Sequence, residues 1–208
     1  MDGRFLTAFI IPEERDICGY KLKPYNLRHM LYLAAIDSPF VSQKSEKAMT
    51  PDALLLALRI CSTNDVQGAL RQKPTIREQI LVGEMMANQD VFAKALHELL
   101  DYIGESNSVP VTFEKDTSKK GPKAENAPPA LMMAVALMSK LHLTKEEAWT
   151  LPVGQAVWYL TVYGITEGAE TKILTTEQES KMDSEADFLK KVQADALAKL
   201  KSHNGRKQ

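Results

Sequence analysis

The chain has 208 residues, 44% hydrophobic and 25% charged, which at this length supports a real core in one domain, or in one domain plus a small second unit. Its 26 basic and 27 acidic side chains leave a formal net charge of -1, which excludes a global electrostatic field for nucleic acid but not a local basic patch. Cys18 and Cys61 are the only cysteines and neither belongs to a CxxC pair, so a disulfide framework is excluded and reduced thiols in a cytosolic setting are expected.

Residues 4–11 are rich in Phe, Ile and Leu and end at Pro12. The run is too short for a secretory signal and lacks a small-residue cleavage site. Ile17–Pro24 alternates apolar and polar at Tyr20, Lys21, Leu22 and Lys23, and the polar Glu13–Asp16 lies between the two segments. Together they predict a short β-hairpin. Helical signals then dominate. Leu27, Met30, Leu31, Ala34 and Ala35 recur on one amphipathic face, and Asp37-Ser38-Pro39 stops that helix. Thr50-Pro51-Asp52 combines an N-cap oxygen, a proline at the first helical position and an acid in the first turn, opening the short apolar helix 53–61. Thr75 and Glu78 fit a capping box. Asn88-Gln89-Asp90 either caps a new helix or is a polar turn of the same one. Leu96, Leu99, Leu100 and Ile103 mark the apolar face that follows.

Residues 104–129 have the proline, glycine and charge content of a flexible linker, within which 109–113 can dock as a short strand. The linker divides a hairpin-plus-helix domain, 1–103, from a smaller helical unit, 130–175. In that unit Pro128 and Pro129 open a helix to about Leu141, Thr144 and Glu147 form a second capping box, and Pro152 starts a third helix running to about Gly168. Phe188, Leu189, Val192, Ala196 and Leu200 share one face of a charged amphipathic tail helix within 176–208. The fold class is therefore mainly α, with a short N-terminal β-hairpin, a flexible linker and a C-terminal helical unit ending in an amphipathic helix. No segment reaches the roughly 18–20 apolar residues of a membrane span.

Catalytic chemistry finds little support. No two of His29, His97, His142 and His203 stand at metal-ligand helical spacing, and no P-loop, dinucleotide glycine motif or nucleophile elbow occurs. Cys18 and His29 could pair as nucleophile and base only through the tertiary fold. The expectation is no enzyme, no cofactor and no metal. Lysines cluster at 115–123, and lysines and arginines at 190–207, but acids are interleaved, so nucleic acid is not an expected partner.

The densest apolar stretch is 131–165, which holds both tryptophans. On its last helix Val153, Val157, Leu160 and Gly164 form one stripe and Trp158, Val162 and Ile165 another. A helix needs one stripe for its core. The second implies burial on both sides or a partner surface. Leu131–Met138 is apolar all round, and its methionines are adaptable packers. The candidate partner-binding residues are Trp158, Val162, Ile165, Met132 and Met138, joined by Phe188, Leu189 and Val192 of the tail.

The string Ile17-Cys-Gly-Tyr-Lys-Leu-Lys-Pro-Tyr-Asn-Leu-Arg-His-Met-Leu-Tyr-Leu-Ala-Ala-Ile-Asp-Ser-Pro-Phe40 resembles small helical proteins from the tail-morphogenesis regions of tailed bacteriophages. Glu147-Ala-Trp-Thr-Leu-Pro-Val-Gly-Gln-Ala-Val-Trp-Tyr159, followed by Glu167-Gly-Ala-Glu170, is similar to the Trp–Pro–aromatic-helix pattern of phage tail assembly chaperones. The resemblance implies a non-enzymatic late protein of the host cytoplasm. Its client would be the hydrophobic tape measure protein, with the tail tube protein as a further partner and self-association open. A structural virion protein, such as a connector or head–tail adaptor, is the alternative. A nucleic-acid-binding or enzymatic module is the second alternative.

Overall fold

A computed structural model describes residues 3–10, 15–41, 46–114, 127–182 and 184. The fold is mainly helical, with a small N-terminal two-stranded sheet and two helical subdomains. The first subdomain contains α1 (Gly3–Phe9), β1 (Arg15–Ile17), β2 (Tyr20–Leu22), α2 (Leu27–Ala35), α3 (Pro51–Cys61), α4 (Val66–Arg71), α5 (Ile76–Ala87) and α6 (Gln89–Ser106). After β3 (Thr112–Glu114), the second contains α7 (Pro129–Lys140), α8 (Lys145–Thr150), α9 (Val153–Thr166) and β4 (Thr171–Ile173). Residues 176–182 are helical, while the tail positions Phe188, Leu189 and Val192 lie outside the described residues.

The hairpin is smaller than the sequence implies. Of the segment 4–11, the described residues 4–10 do not form one of its strands; 3–9 are α1 instead, and residue 11 lies outside the described residues. The reason is tertiary: Phe5 and Phe9, one helical turn apart, stack at 4.5 Å and present a single aromatic face to α9. The hairpin pairs Arg15–Ile17 with Tyr20–Leu22 across a two-residue loop. Cys18 and Gly19 both take positive φ, 53° and 80°, as the tightest hairpin loops demand. Cys18 is thus a turn residue rather than a strand residue.

The linker expected over 104–129 is largely fold where it is described. Residues 104–106 complete α6, Pro110 is buried, and Thr112–Glu114 pairs antiparallel with β4. The capped helix starts hold. Thr50 accepts from the Ala53 amide at 3.2 Å, Asn88 opens α6 by accepting from Asp90, and both capping boxes close. Each such cap contributes about 1 kcal/mol.

One buried cluster runs through both subdomains, from Ile17 and Leu22 in the hairpin, through Leu54, Leu58 and Ile60 of α3, to Ala134 and Leu137 of α7 and Ala156 of α9. The α2 helix packs on α3 on one side and on α7 and α8 on another. The hairpin, α3 and α5 meet at a buried charge network. Arg59 grips both Glu78 carboxylate oxygens, the Tyr20 hydroxyl donates to the same carboxylate, and the Thr75 amide donates to it at 2.6 Å. These donors hold the Glu78 carboxyl well below the usual carboxylate range, the Arg59 guanidinium contributing most. Desolvation, aided by the adjacent carboxylate, pushes the Tyr20 phenol up to about 12.

Breaking this network from one side strands a buried charge. Glu78→Gln leaves Arg59 unpaired at matched volume and is expected to lower unfolding free energy by about 3–5 kcal/mol in urea titration. His29 supplies a second test. It is fully buried, its Nε2 donates to the Thr63 carbonyl at 3.0 Å, and Nδ1 has no partner. Burial pulls its pKa from 6.5 to about 4, so the folded state keeps the ring neutral and the unfolded chain takes up the proton first. Stability is then full above about pH 6.5 and falls as pH drops toward 4, with about 2 kcal/mol lost by about pH 5. Denaturant titrations across that window should show the slope, and His29→Gln should flatten it.

Candidate protein-binding groove

The second subdomain positions its helices by proline and capping chemistry. Pro129 presets φ in the first turn of α7, and Lys140 sits in the last turn, where a cation is favoured. His142, at φ 55°, turns the chain out of the helix, and Thr144 and Glu147 then cap α8 reciprocally, at 3.3 and 2.8 Å. Beside them Glu146 accepts from Arg28 of α2 at 2.6 Å. Pro152 forces Leu151 into an extended conformation and starts α9.

The first two turns of α9 are enclosed. A side chain at Gly154 would meet the Ser106 carbonyl at 2.8 Å and the Ser108 carbonyl at 3.2 Å, so the close approach of the 106–110 strap requires glycine. The Trp158 indole donates to the Ser108 carbonyl at 3.1 Å, and Phe5 of α1 meets its ring edge-on at 5.5 Å. Gln155 donates to the Ala8 carbonyl at 3.1 Å, and Phe9 packs edge-on against Tyr159.

Farther along, α9 opens. Val157, Leu160, Thr161 and Gly164 form one wall of a groove of about 360 Å³, which Met133 of α7, Thr112 of β3 and Thr171 of β4 complete. None of these side chains ionises. The α9 helix carries no charged residue and α7 only Lys140. Leu131, Met132 and Val135 are exposed on α7, and Met132 continues the apolar surface round from Met133. A more polar hollow, about 490 Å³, lies at the Arg59–Glu78 pair, whose charges already satisfy each other.

Each of the two stripes read from α9 is divided between interior and surface. Trp158, assigned to a partner surface, is 5% exposed and anchors the interior. Of the stripe assigned to the core only Val153 is buried, while Val157, Leu160 and Gly164 line the groove. Val162 is exposed on the opposite side of α9, and Ile165 is half-buried. Met132 is exposed, whereas Met138 packs against the core, as does Trp149. None of the five described partner candidates lines the groove. The signal that would have found it was Gly164: a glycine on an otherwise bulky stripe opens space.

Among the described residues no group of three or more His, Cys, Asp or Glu could hold a metal ion. Burial pushes the Cys61 thiol up to about 12, and desolvation, then Glu98 and Asp16, raise that of Cys18, so neither is held as a reactive thiolate. No described helix is long and apolar enough to cross a membrane. The chain matches no protein-family model, no curated protein and no solved structure.

Trp158 and Val162 separate the two roles by experiment. Trp158→Ala removes a buried indole and its hydrogen bond, with an expected loss of about 3–5 kcal/mol in denaturant unfolding. Val162→Ala, at an exposed site, should shift stability by no more than about 0.5 kcal/mol.

Proposed function

We propose that the protein is a non-enzymatic phage tail assembly chaperone of the host cytoplasm, and that the α7–α9 groove receives an apolar helical segment of the tape measure protein. One observation carries the reading: the groove is walled by Met133, Val157, Leu160 and Gly164 with two threonines at the β3–β4 end, and no ionisable side chain lines it. Such a wall offers adaptable, sequence-tolerant apolar contact and no means of acid–base, nucleophilic or metal chemistry. Exposed Met132, next to Met133 on α7, extends the apolar area beyond the groove. The resemblance of Ile17–Phe40 and Glu147–Tyr159 to tail assembly chaperones supplies the client.

The groove reading differs from a surface centred on the opposite face of α9. Co-expression with tape measure fragments should keep those fragments soluble and yield a complex by size exclusion. Leu160→Glu and Val157→Glu should abolish the complex while far-ultraviolet circular dichroism stays unchanged, and Val162→Glu should leave it intact. Retention of binding by both groove variants would exclude the groove. Persistence of the protein in purified particles would favour a structural virion component.

A further inference from the structure

The α5 helix carries an outward apolar face that no element among the described residues covers. Its inner side is occupied by Glu78, Leu81 and Met85. On the outer side Ile76 is 77% exposed and Ile80 58%, one turn apart, and at helical spacing the same stripe continues through Gly83 and Ala87. A single exposed isoleucine is ordinary; two in line, one turn apart, on the side of a helix that faces away from the core are not, and Met86, 70% exposed, adds to the apolar area on the flank away from Arg77. Gly83 is a second oddity. A Cβ there would meet no atom within 4 Å, so no internal packing requires glycine at this mid-helix position, where it weakens the helix relative to alanine.

We propose that α5 is a self-association surface, in which it packs antiparallel against α5 of a second copy of this chain. The occupant follows from self-complementarity about a two-fold axis midway between Ile80 and Gly83. That axis sets Ile80 against the partner's Gly83 and Ile76 against the partner's Ala87, bulk against gap at both pairs and twice over by symmetry. The charges agree with the same axis. Arg77 and Glu84 lie on one flank of the helix, and the axis brings each beside the opposite charge of the other copy, offset by roughly 3 Å along the helix. Arg77 lies over the Gly19 turn in the protomer, on the flank that faces the partner's Glu84. A parallel arrangement would set isoleucine against isoleucine and like charges together. One helix face is smaller than the ~800 Å² per partner of a stable complex, so the dimer is weak and concentration-dependent. This surface is separate from the α7–α9 groove and stands whether or not the groove binds a client.

Sedimentation velocity of the full chain from micromolar to millimolar concentration tests it. The expected result is a reversible monomer–dimer equilibrium that Ile80→Glu weakens at least about tenfold with helicity unchanged. Gly83→Leu should raise the thermal midpoint of the monomer yet weaken the dimer, because the gap for the partner's Ile80 is filled. Arg77→Glu and Glu84→Arg should each weaken association, and the double exchange should restore it. A monomer throughout the range, a dimer indifferent to Ile80→Glu, a dimer tightened by Gly83→Leu, or an α5 face that binds tape measure fragments instead would each overturn the proposal.

Discussion

Two short extended segments hold the subdomains together, and the remaining geometry depends on them. The Val153 amide donates to the Tyr25 carbonyl at 3.0 Å and the Leu27 amide to the Leu151 carbonyl at 3.3 Å, on either side of the Asn26–Pro152 pair. Both segments are extended for local reasons: Pro24 and Pro152 bar helix in the residues before them, and Asn26 and Pro152 are themselves caps. The clamp therefore sets the starting points of α2 and α9 at once. With those starts side by side, α2 lies along α7 and α8, and Arg28 reaches Glu146. That ion pair is exposed on the glutamate side and contributes little; the apolar contact of α2 with Ala134 and Leu137 is what the clamp secures.

Polar groups within the core are few, and each is tied to a particular piece of architecture. Glu78 closes the α5 capping box and also neutralises Arg59, so a single carboxylate fixes a helix start, a helix–helix contact and the hairpin tip. By contrast the walls of the α7–α9 groove hold three threonines but no charged side chain. The protein thus concentrates directional bonding in the first subdomain and leaves adaptable apolar surface in the second. For the proposed function, receipt of an apolar helical segment, this separation is an advantage, because the groove side chains can shift without breaking a network.

What was legible in the sequence was local. Thr50, Thr75 and Thr144 announce helix starts through bonds that span three residues, Pro152 announces one through its fixed φ, and all four helices start there in the structure. The short apolar run 4–11 was ambiguous between strand and helix by pattern alone, and its outcome was decided by Trp158 and Tyr159, far along the chain. The pairing of β3 with β4 and the burial of Trp158 under the strap have the same character: the Trp158–Ser108 bond joins residues 50 apart. Periodicity revealed two apolar stripes on α9 but carried no information on which neighbour would cover which.

The seven-residue α1 has its main aromatic partners on α9, and the Gln155–Ala8 bond spans 147 positions. A helix this short does not hold its form alone in water. At synthesis rates of about 5–20 residues per second, Phe5 and Phe9 leave the ribosome several seconds or more before Trp158 exists. Made well before its partners on α9, α1 therefore settles only after them, and its aromatic pair stays uncovered for that interval.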